Sequence, residues 1–223
     1  DMQQRGPFGV QSDVSLRGGT FEQTLILVNG IKMSDPQTGH HNLNLPIDLD
    51  QVERIEVMKG SASRIYGINA LTGAINIITK VPEDAQLNAG IITGSDLRQG
   101  ADNKTYLNFG ADLGISYGKG NYRAYTYLGH DRSSGYRNNT DYAQYKAFYQ
   151  GEIKGVDRQT TLMASYLNNS FGANSFYAFP FDTSSWERVN TALISAQHKQ
   201  VVKKWTLMPR VYWRNNTDDY LLR

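Results

Sequence analysis

The stretch "VERIEVMKGSASRIYGINALTGAINIITK", residues 52–80, decides the architecture. It holds two β-branched runs, Val52 to Val57 and Ala74 to Thr79, joined by small residues that Gly60, Gly67 and Gly73 punctuate, with one aromatic, Tyr66. Branched runs of that length bounded by glycines favour strands. The segment downstream differs in kind, because only Phe8, Phe21 and Tyr66 among the aromatics precede residue 84. The Val81-Pro82-Glu83-Asp84 joint marks the change, since proline cannot donate to a strand ladder. The expected domains are therefore 1–83 and 84–223.

Composition removes several classes of function. At 39% hydrophobic and 20% charged residues the 223-residue chain can fold around a core. A net charge of +2 with scattered basic residues argues against a nucleic-acid partner, which needs a concentrated basic face. No window approaches 18 consecutive apolar residues and mean hydropathy is -0.51, so no transmembrane helix is expected. Such a count does not register membrane strands, which face lipid only at every second residue. Cysteine is absent, excluding disulfides and thiolate metal sites. There is no Ser-His-Asp order, phosphate loop or H-E-x-x-H, so a catalytic function is not expected. DMQQRGPFGV lacks the pattern of a signal peptide and an initiator Met, and the expectation is that the chain begins in mid-protein.

From residue 84 onward the sequence alternates. Thr105, Leu107, Phe109, Ala111, Leu113 and Ile115 make an apolar set against Asn108, Gly110, Asp112 and Gly114. The period returns at Tyr145, Ala147, Tyr149, Gly151, Ile153, and at Trp205, Leu207, Val211, Trp213, with shorter versions at Leu87, Ala89, Ile91 and at Leu162, Ala164, Tyr166. About seven strands are expected. Their connections alternate between long (Ser95 to Asn103, Asp131 to Ala143, Asn168 to Glu187) and short (Ser116 to Gly120, Gly155 to Arg158, Gln200 to Lys203). Outer-membrane barrels connect strands in this way, with Tyr122, Tyr145, Trp205 and Trp213 then falling near the interfaces. A soluble β-sandwich with an aromatic core also fits the alternation alone.

Upstream, Leu25 to Val28 is a buried-strand run, Asn29-Gly30 a hairpin signal, and Ile31 to Met33 a returning strand. Pro46 and Ile47 to Gln51 predict a short helical turn leading into the strand from Val52.

Taken in order, "LRGG", "LILVNG", "LPIDLDQVERIEVMKG", "SASRIYG" and "INALTGAINIITK" resemble the plug domain of TonB-dependent outer-membrane transporters over residues 16–80. Asn29 replaces an Asp of that pattern, Ser61 a Pro and Thr72 a Gly, and each keeps the backbone logic: Asn tolerates a left-handed turn and Ser opens a helical one. The resemblance implies a mixed α/β plug inside a large antiparallel transmembrane β-barrel. An 80-residue globule has a hard radius near ~15 Å and needs about 20 tilted strands around it, in line with the 22-stranded plugged transporters. About seven strands are a fragment of that wall, with the TonB box expected before residue 1.

The implied activity is energised import of a scarce large solute, with no cofactor required. The implied partners are the TonB energy-transducing complex, the transported small molecule, outer-membrane lipid and a surface lipoprotein. "SFGANSFYAFPF" and "SSGYRNNTDYAQYKAFYQG" resemble the cobalamin-transporter branch of Bacteroidetes-like sequences, so cobalamin leads and a ferric siderophore or haem is the alternative. A soluble β-rich binding protein is the alternative of another class. By that resemblance the solute contacts are Ser34, Gln37, Thr38, Gly39, His40 and His41 of the plug loop, with Phe171, Asn174, Phe176, Tyr177 and Phe179 of the long connection. Asp131 and Asp141, expected in outer loops, are candidates for a structural calcium.

Overall fold

Leu25, Ile26, Leu27 and Val28 are wholly buried, and the strand they form is the spine of the first of two units. The computed structural model describes residues 1–6, 10–34, 41–99, 105–177 and 183–222, and the chain divides into Asp1–Lys80 and Val81–Arg223.

In the first unit β1 (Met2–Arg5) pairs antiparallel with β2 (Gln11–Val14). A four-stranded sheet follows, in the order β4 (Ile31–Lys32), β3 (Thr24–Val28), β6 (Gly73–Thr79), β5 (Val52–Lys59). Strand β3 runs parallel to β6, and the other two pairings are antiparallel. Asn29 (φ 50°) and Gly30 (φ 76°) make the two-residue turn between β3 and β4 that the Asn-Gly pair predicts. The helical turn expected over Ile47 to Gln51 is confined to a 3₁₀ turn, Leu49–Gln51, because Asp48 caps it by accepting from the Asp50 N–H at 3.1 Å. The short helix α1 (Ser63–Tyr66) starts after Ala62 rather than at Ser61, and the Ser63 hydroxyl donates to the Ala70 carbonyl at 3.1 Å. Small residues let this turn lie close on the sheet: Ala62, Ala70 and Ala74 pack with Leu25 and Leu27, flanked by Met58 and Tyr66. Gly73 is required by a close approach. A Cβ there would collide with the Met58 carbonyl oxygen and stand 2.7 Å from Leu16 Cδ1.

The second unit is one antiparallel sheet. Its strands are β7 (Gln86–Gln99), β8 (Thr105–Lys119), β9 (Tyr122–Ser133), β10 (Tyr142–Lys154), β11 (Arg158–Gly172) and β12 (Trp186–Val202), each paired with the next. Then β13 (Trp205–Leu207) and β14 (Arg210–Leu221) share β12 as partner, so they occupy a seventh strand position broken at Met208-Pro209. The turns at one end are short: Gly120-Asn121, Gly155 to Asp157, and Lys203-Lys204. Those at the other end, 134–141 and 173–185, are long. The long connection expected from Ser95 is largely strand, because β7 continues through an irregular register to Gln99.

Polarity on this sheet is inverted relative to a soluble protein. Leu87, Ile91, Leu107, Phe109, Leu113, Ile115, Leu128, Tyr145, Leu162, Tyr166, Ile194, Val211 and Trp213 are exposed and share one face. The opposite face includes buried Ser116, Gln144, Gln150, Glu152, Ser165, Thr191 and Ser195 beside apolar Tyr125, Phe148 and Leu193. An exposed apolar surface spanning seven strand positions far exceeds what a soluble monomer leaves in water.

The limits of that surface run obliquely across the strands. One cross-strand row on the apolar face reads Ala111, His130, Tyr145, Asn168, Asn190, Thr217. The next reads Leu113, Leu128, Ala147, Tyr166, Ala192, Asn215, and the third Ile115, Thr126, Tyr149, Ala164, Ile194, Trp213. Toward the long connections, the continuous apolar run reaches Leu107 on β8 but ends at Leu128 on β9, Tyr166 on β11 and Trp213 on β14, with Trp186 and Leu221 standing apart from it at the far strand ends. Tyr145 on β10 interrupts the trend without reversing it. A level boundary crossed by strands tilted ~40° and ~4.8 Å apart shifts ~4 Å per strand, or about six residues over the five steps from β8 to β14. The drop from Leu107 to the row of Ile115 and Trp213 is eight residues, in the direction of that tilt and somewhat larger than it requires.

Candidate functional site

Hydrogen bonds of Asn138, Asn139 and Asn174 tie the two long connections of the second unit together. Asn174 Nδ2 donates to the Asn138 carbonyl at 2.7 Å, and Asn139 Nδ2 donates to the carbonyls of Ser185 at 2.7 Å and Thr183 at 3.1 Å. Backbone bonds from Gly172 N to Asp141 O and from Ala173 N to Ser185 O, both 2.8 Å, close the base of the same knot. Arg137 adds a bond to the Asn174 carbonyl at 3.1 Å. Asn139 adopts φ 53°, a left-handed conformation that asparagine tolerates better than most residues.

An aromatic cluster hangs from this knot. The Phe171 and Phe176 rings are 5.9 Å apart, Phe176 and Tyr177 6.3 Å, and Tyr177 meets Tyr220 edge-on at 5.1 Å. The Tyr177 hydroxyl donates to Glu187, at 3.0 and 3.3 Å from its two oxygens. By strand parity Phe171, Glu187 and Tyr220 belong to the face opposite the apolar one. Ring faces with a fixed hydroxyl and carboxylate among them can bind a large ligand that is partly apolar and partly polar.

Four of the eleven expected contacts are gathered here: Phe171, Asn174, Phe176 and Tyr177. Asn174 acts through its bonds to the neighbouring connection rather than as an open side chain. Phe179 lies outside the described residues, as do Gln37, Thr38, Gly39 and His40. Ser34 follows β4 in the first unit. His41 has φ 62° and its carbonyl accepts from Asn44 N at 2.9 Å. The stem that presents these two residues is firmly held. Gly30 N donates to Asn76 Oδ1 at 2.9 Å, and Asn76 Nδ2 donates to Glu56 at 3.1 Å. That bond from Asn76, helped by Arg54, holds the Glu56 carboxyl below the usual carboxylate range.

Asp131 lies within β9, not in a loop, and its carboxylate stands over Gly110 of the neighbouring strand. Asp141 does precede β10 in a long connection. Among the described residues, no group of three side chains close enough to share one ion includes either aspartate. Sequence reasoning did not find Tyr220 and Glu187. Their proximity to Tyr177 depends on strand register, and the one local signal is an aromatic or acidic residue near a strand end.

Comparison with known proteins bears on both units. The family description "TonB-dependent Receptor Plug Domain" matches residues 1–74. The vitamin B12 transporter BtuB of Vibrio vulnificus is 31% identical over 110 residues, covering 49% of this chain and 18% of that protein. The protein of the same name from Photobacterium profundum is 35% identical over 74 residues, 33% of this chain and 12% of its own length. The chain thus spans less than a fifth of these relatives. Among solved structures, the unliganded ferric citrate transporter FecA superposes with a TM-score of 0.77 at 14% identity, over 100% of this chain and 36% of that one. The siderophore receptor PirA from Pseudomonas aeruginosa gives 0.70 at 19% identity, over 93% and 35%. At such identities the likeness is one of fold.

Proposed function

We propose that the protein of which this chain is part is a TonB-dependent receptor of the bacterial outer membrane that binds a corrinoid, cobalamin or a close relative, at its outer face and imports it. Residues 1–83 would be the later part of the plug and residues 84–223 the first strands of an enclosing barrel of about 22 strands. The observation that carries the solute assignment is the likeness to vitamin B12 transporters over half the chain. The cluster of Phe171, Phe176, Tyr177 and Tyr220 around Glu187 supports it, because it offers flat ring faces and two polar atoms at the end of the sheet bearing the long connections.

Import would be driven through the TonB complex pulling on the plug, whose polar contacts yield at lower cost than a dry apolar interface. Ser34, Gln37, Thr38, Gly39, His40 and His41 would meet the solute from the plug. A surface lipoprotein partner and a calcium ion held with the help of Asp131 and Asp141 belong to the same proposal. No chemical step is involved.

Equilibrium titration of the intact detergent-solubilised protein with cobalamin, haem and ferric siderophores tests this reading. Saturable binding of cobalamin alone is expected. Binding of a ferric siderophore or haem with none of cobalamin would move the protein to another branch of the family.

A further inference from the structure

A cleft of about 560 Å³ lies at the end of the sheet bearing the long connections; it reaches the apolar face at His130, Arg132 and Tyr145 and shares Arg137, Asn138 and Asn139 with the knot that carries the aromatic cluster. Its walls include His130, Arg132, Arg137, Tyr145 and Trp186. Two guanidinium groups face one carboxylate there, that of Asp141. Arg132 is exposed and makes no hydrogen bond or ion pair with another described residue, so its donors are available. Arg137 uses one nitrogen on the Asn174 carbonyl and keeps the rest of its fork.

Directly beneath lies a second groove of about 460 Å³ whose lining includes Leu113, Leu128, Ala147 and Tyr166 and is almost wholly apolar. The two spaces share His130 and Tyr145, whose rings stack at 4.2 Å and 17° and form the divide between them. Leu128 is the last apolar residue of β9 on this face. His130 and Arg132 stand roughly 7 and 13 Å further along the strand, hence ~5 and ~10 Å higher at a tilt of ~40°. That is the depth of lipid headgroups above hydrocarbon, where aromatic and basic side chains anchor.

We propose that the paired spaces seat one amphiphile of the outer leaflet, a phosphate-bearing glycolipid, with phosphate on Arg132 and Arg137 and an acyl chain along Leu113, Leu128 and Ala147. Guanidinium forks match phosphate oxygens bidentately, and the apolar groove continues from the charged cleft in the direction a lipid tail must take. The inference rests on the outer-membrane reading. That reading fails separately, if the native protein is released from cells without detergent.

Native mass spectrometry of the intact protein in a mild detergent, with bisphosphorylated lipid A added at fixed concentration, tests the proposal. The wild type should retain one lipid A, and an Arg132→Gln/Arg137→Gln variant should retain it about 30-fold less, from two basic contacts at a membrane surface. Lys203→Gln, at the opposite end of the sheet, should behave as wild type. Dephosphorylated lipid A should bind as weakly to the wild type as the phosphorylated form binds to the double variant. Equal retention by double variant and wild type, with the barrel still folded by its heat-modifiable mobility, would overturn the proposal. So would displacement of lipid A by millimolar inorganic phosphate, which would make the cleft a site for the free anion.

Discussion

Asn29 and Thr79 form a two-bond clasp between the turn of the β3–β4 hairpin and the end of β6: Thr79 N donates to Asn29 Oδ1 at 3.0 Å, and Asn29 Nδ2 donates to Thr79 Oγ1 at 2.8 Å. The residue occupying the left-handed turn position thus also fastens the turn to the parallel neighbour of β3. Asp could accept the first bond and receive the Thr79 hydroxyl proton in place of the second. Asn29→Asp should therefore be nearly neutral. Asn29→Ala loses both bonds and strains the backbone, and should lower the local opening free energy of residues 24–33 by about 1–3 kcal/mol, read by hydrogen exchange.

Gly73→Ala tests the close approach of β5 and β6. Because the added methyl meets the Met58 carbonyl and not a movable side chain tip, the strands must separate, at a cost of about 1–3 kcal/mol or more. Exchange protection across Val52–Lys59 should fall, while that of β8 to β12 stays unchanged.

Glu56 gives a pH signature. Its carboxyl is held below the ordinary value by the hydrogen bond from Asn76, with Arg54 assisting. A depressed folded value means that the contribution is fully present above the unfolded value of about 4.3 and is lost as pH falls through the folded one. Protection of the β5–β6 pairing, corrected for intrinsic exchange, should decline in that acid window. Glu56→Gln should abolish this part of the pH dependence.

For the aromatic cluster, Phe176→Ala and Tyr177→Ala should each weaken corrinoid binding about 10-fold, the loss typical of an aromatic contact at the centre of an interface. Tyr177→Phe keeps the ring and loses the bond to Glu187, so it should have a smaller effect. Leu162→Ala, on the opposite face, should leave affinity unchanged when measured by the same titration.

The elements themselves were legible where one side-chain period dominates. Alternation over Thr105 to Ile115 identified both the strand and the face that is exposed, and Asn-Gly identified the turn at residues 29 and 30. Boundaries were less legible, since pairing with a partner can carry a strand through polar residues, as β7 and β11 do in reaching Gln99 and Gly172. The same extension places Asp131 within β9. The site was legible only in part. Phe171, Phe176 and Tyr177 are near in sequence, but Glu187 and Tyr220 join them through register, and Asn139 acts through bonds to carbonyls on a connection more than 40 residues later. The oblique limit of the apolar face needs all the registers together, so no single segment contains it.

On the outer-membrane reading, the exposed apolar face of β8 to β14 meets lipid as a tilted wall. The protein segment has no cysteine, so spin labels can be placed one at a time at residues 105–117, 122–132 and 211–219 of the membrane-reconstituted protein. Accessibility to dissolved oxygen should peak at every second residue. The switch to accessibility by a water-soluble nickel chelate should occur beyond Leu107 on β8, between Leu128 and His130 on β9, and between Trp213 and Asn215 on β14. Nickel accessibility at Leu113, Leu128 and Trp213 equal to that of a surface loop would contradict the wall and the outer-membrane reading built on it.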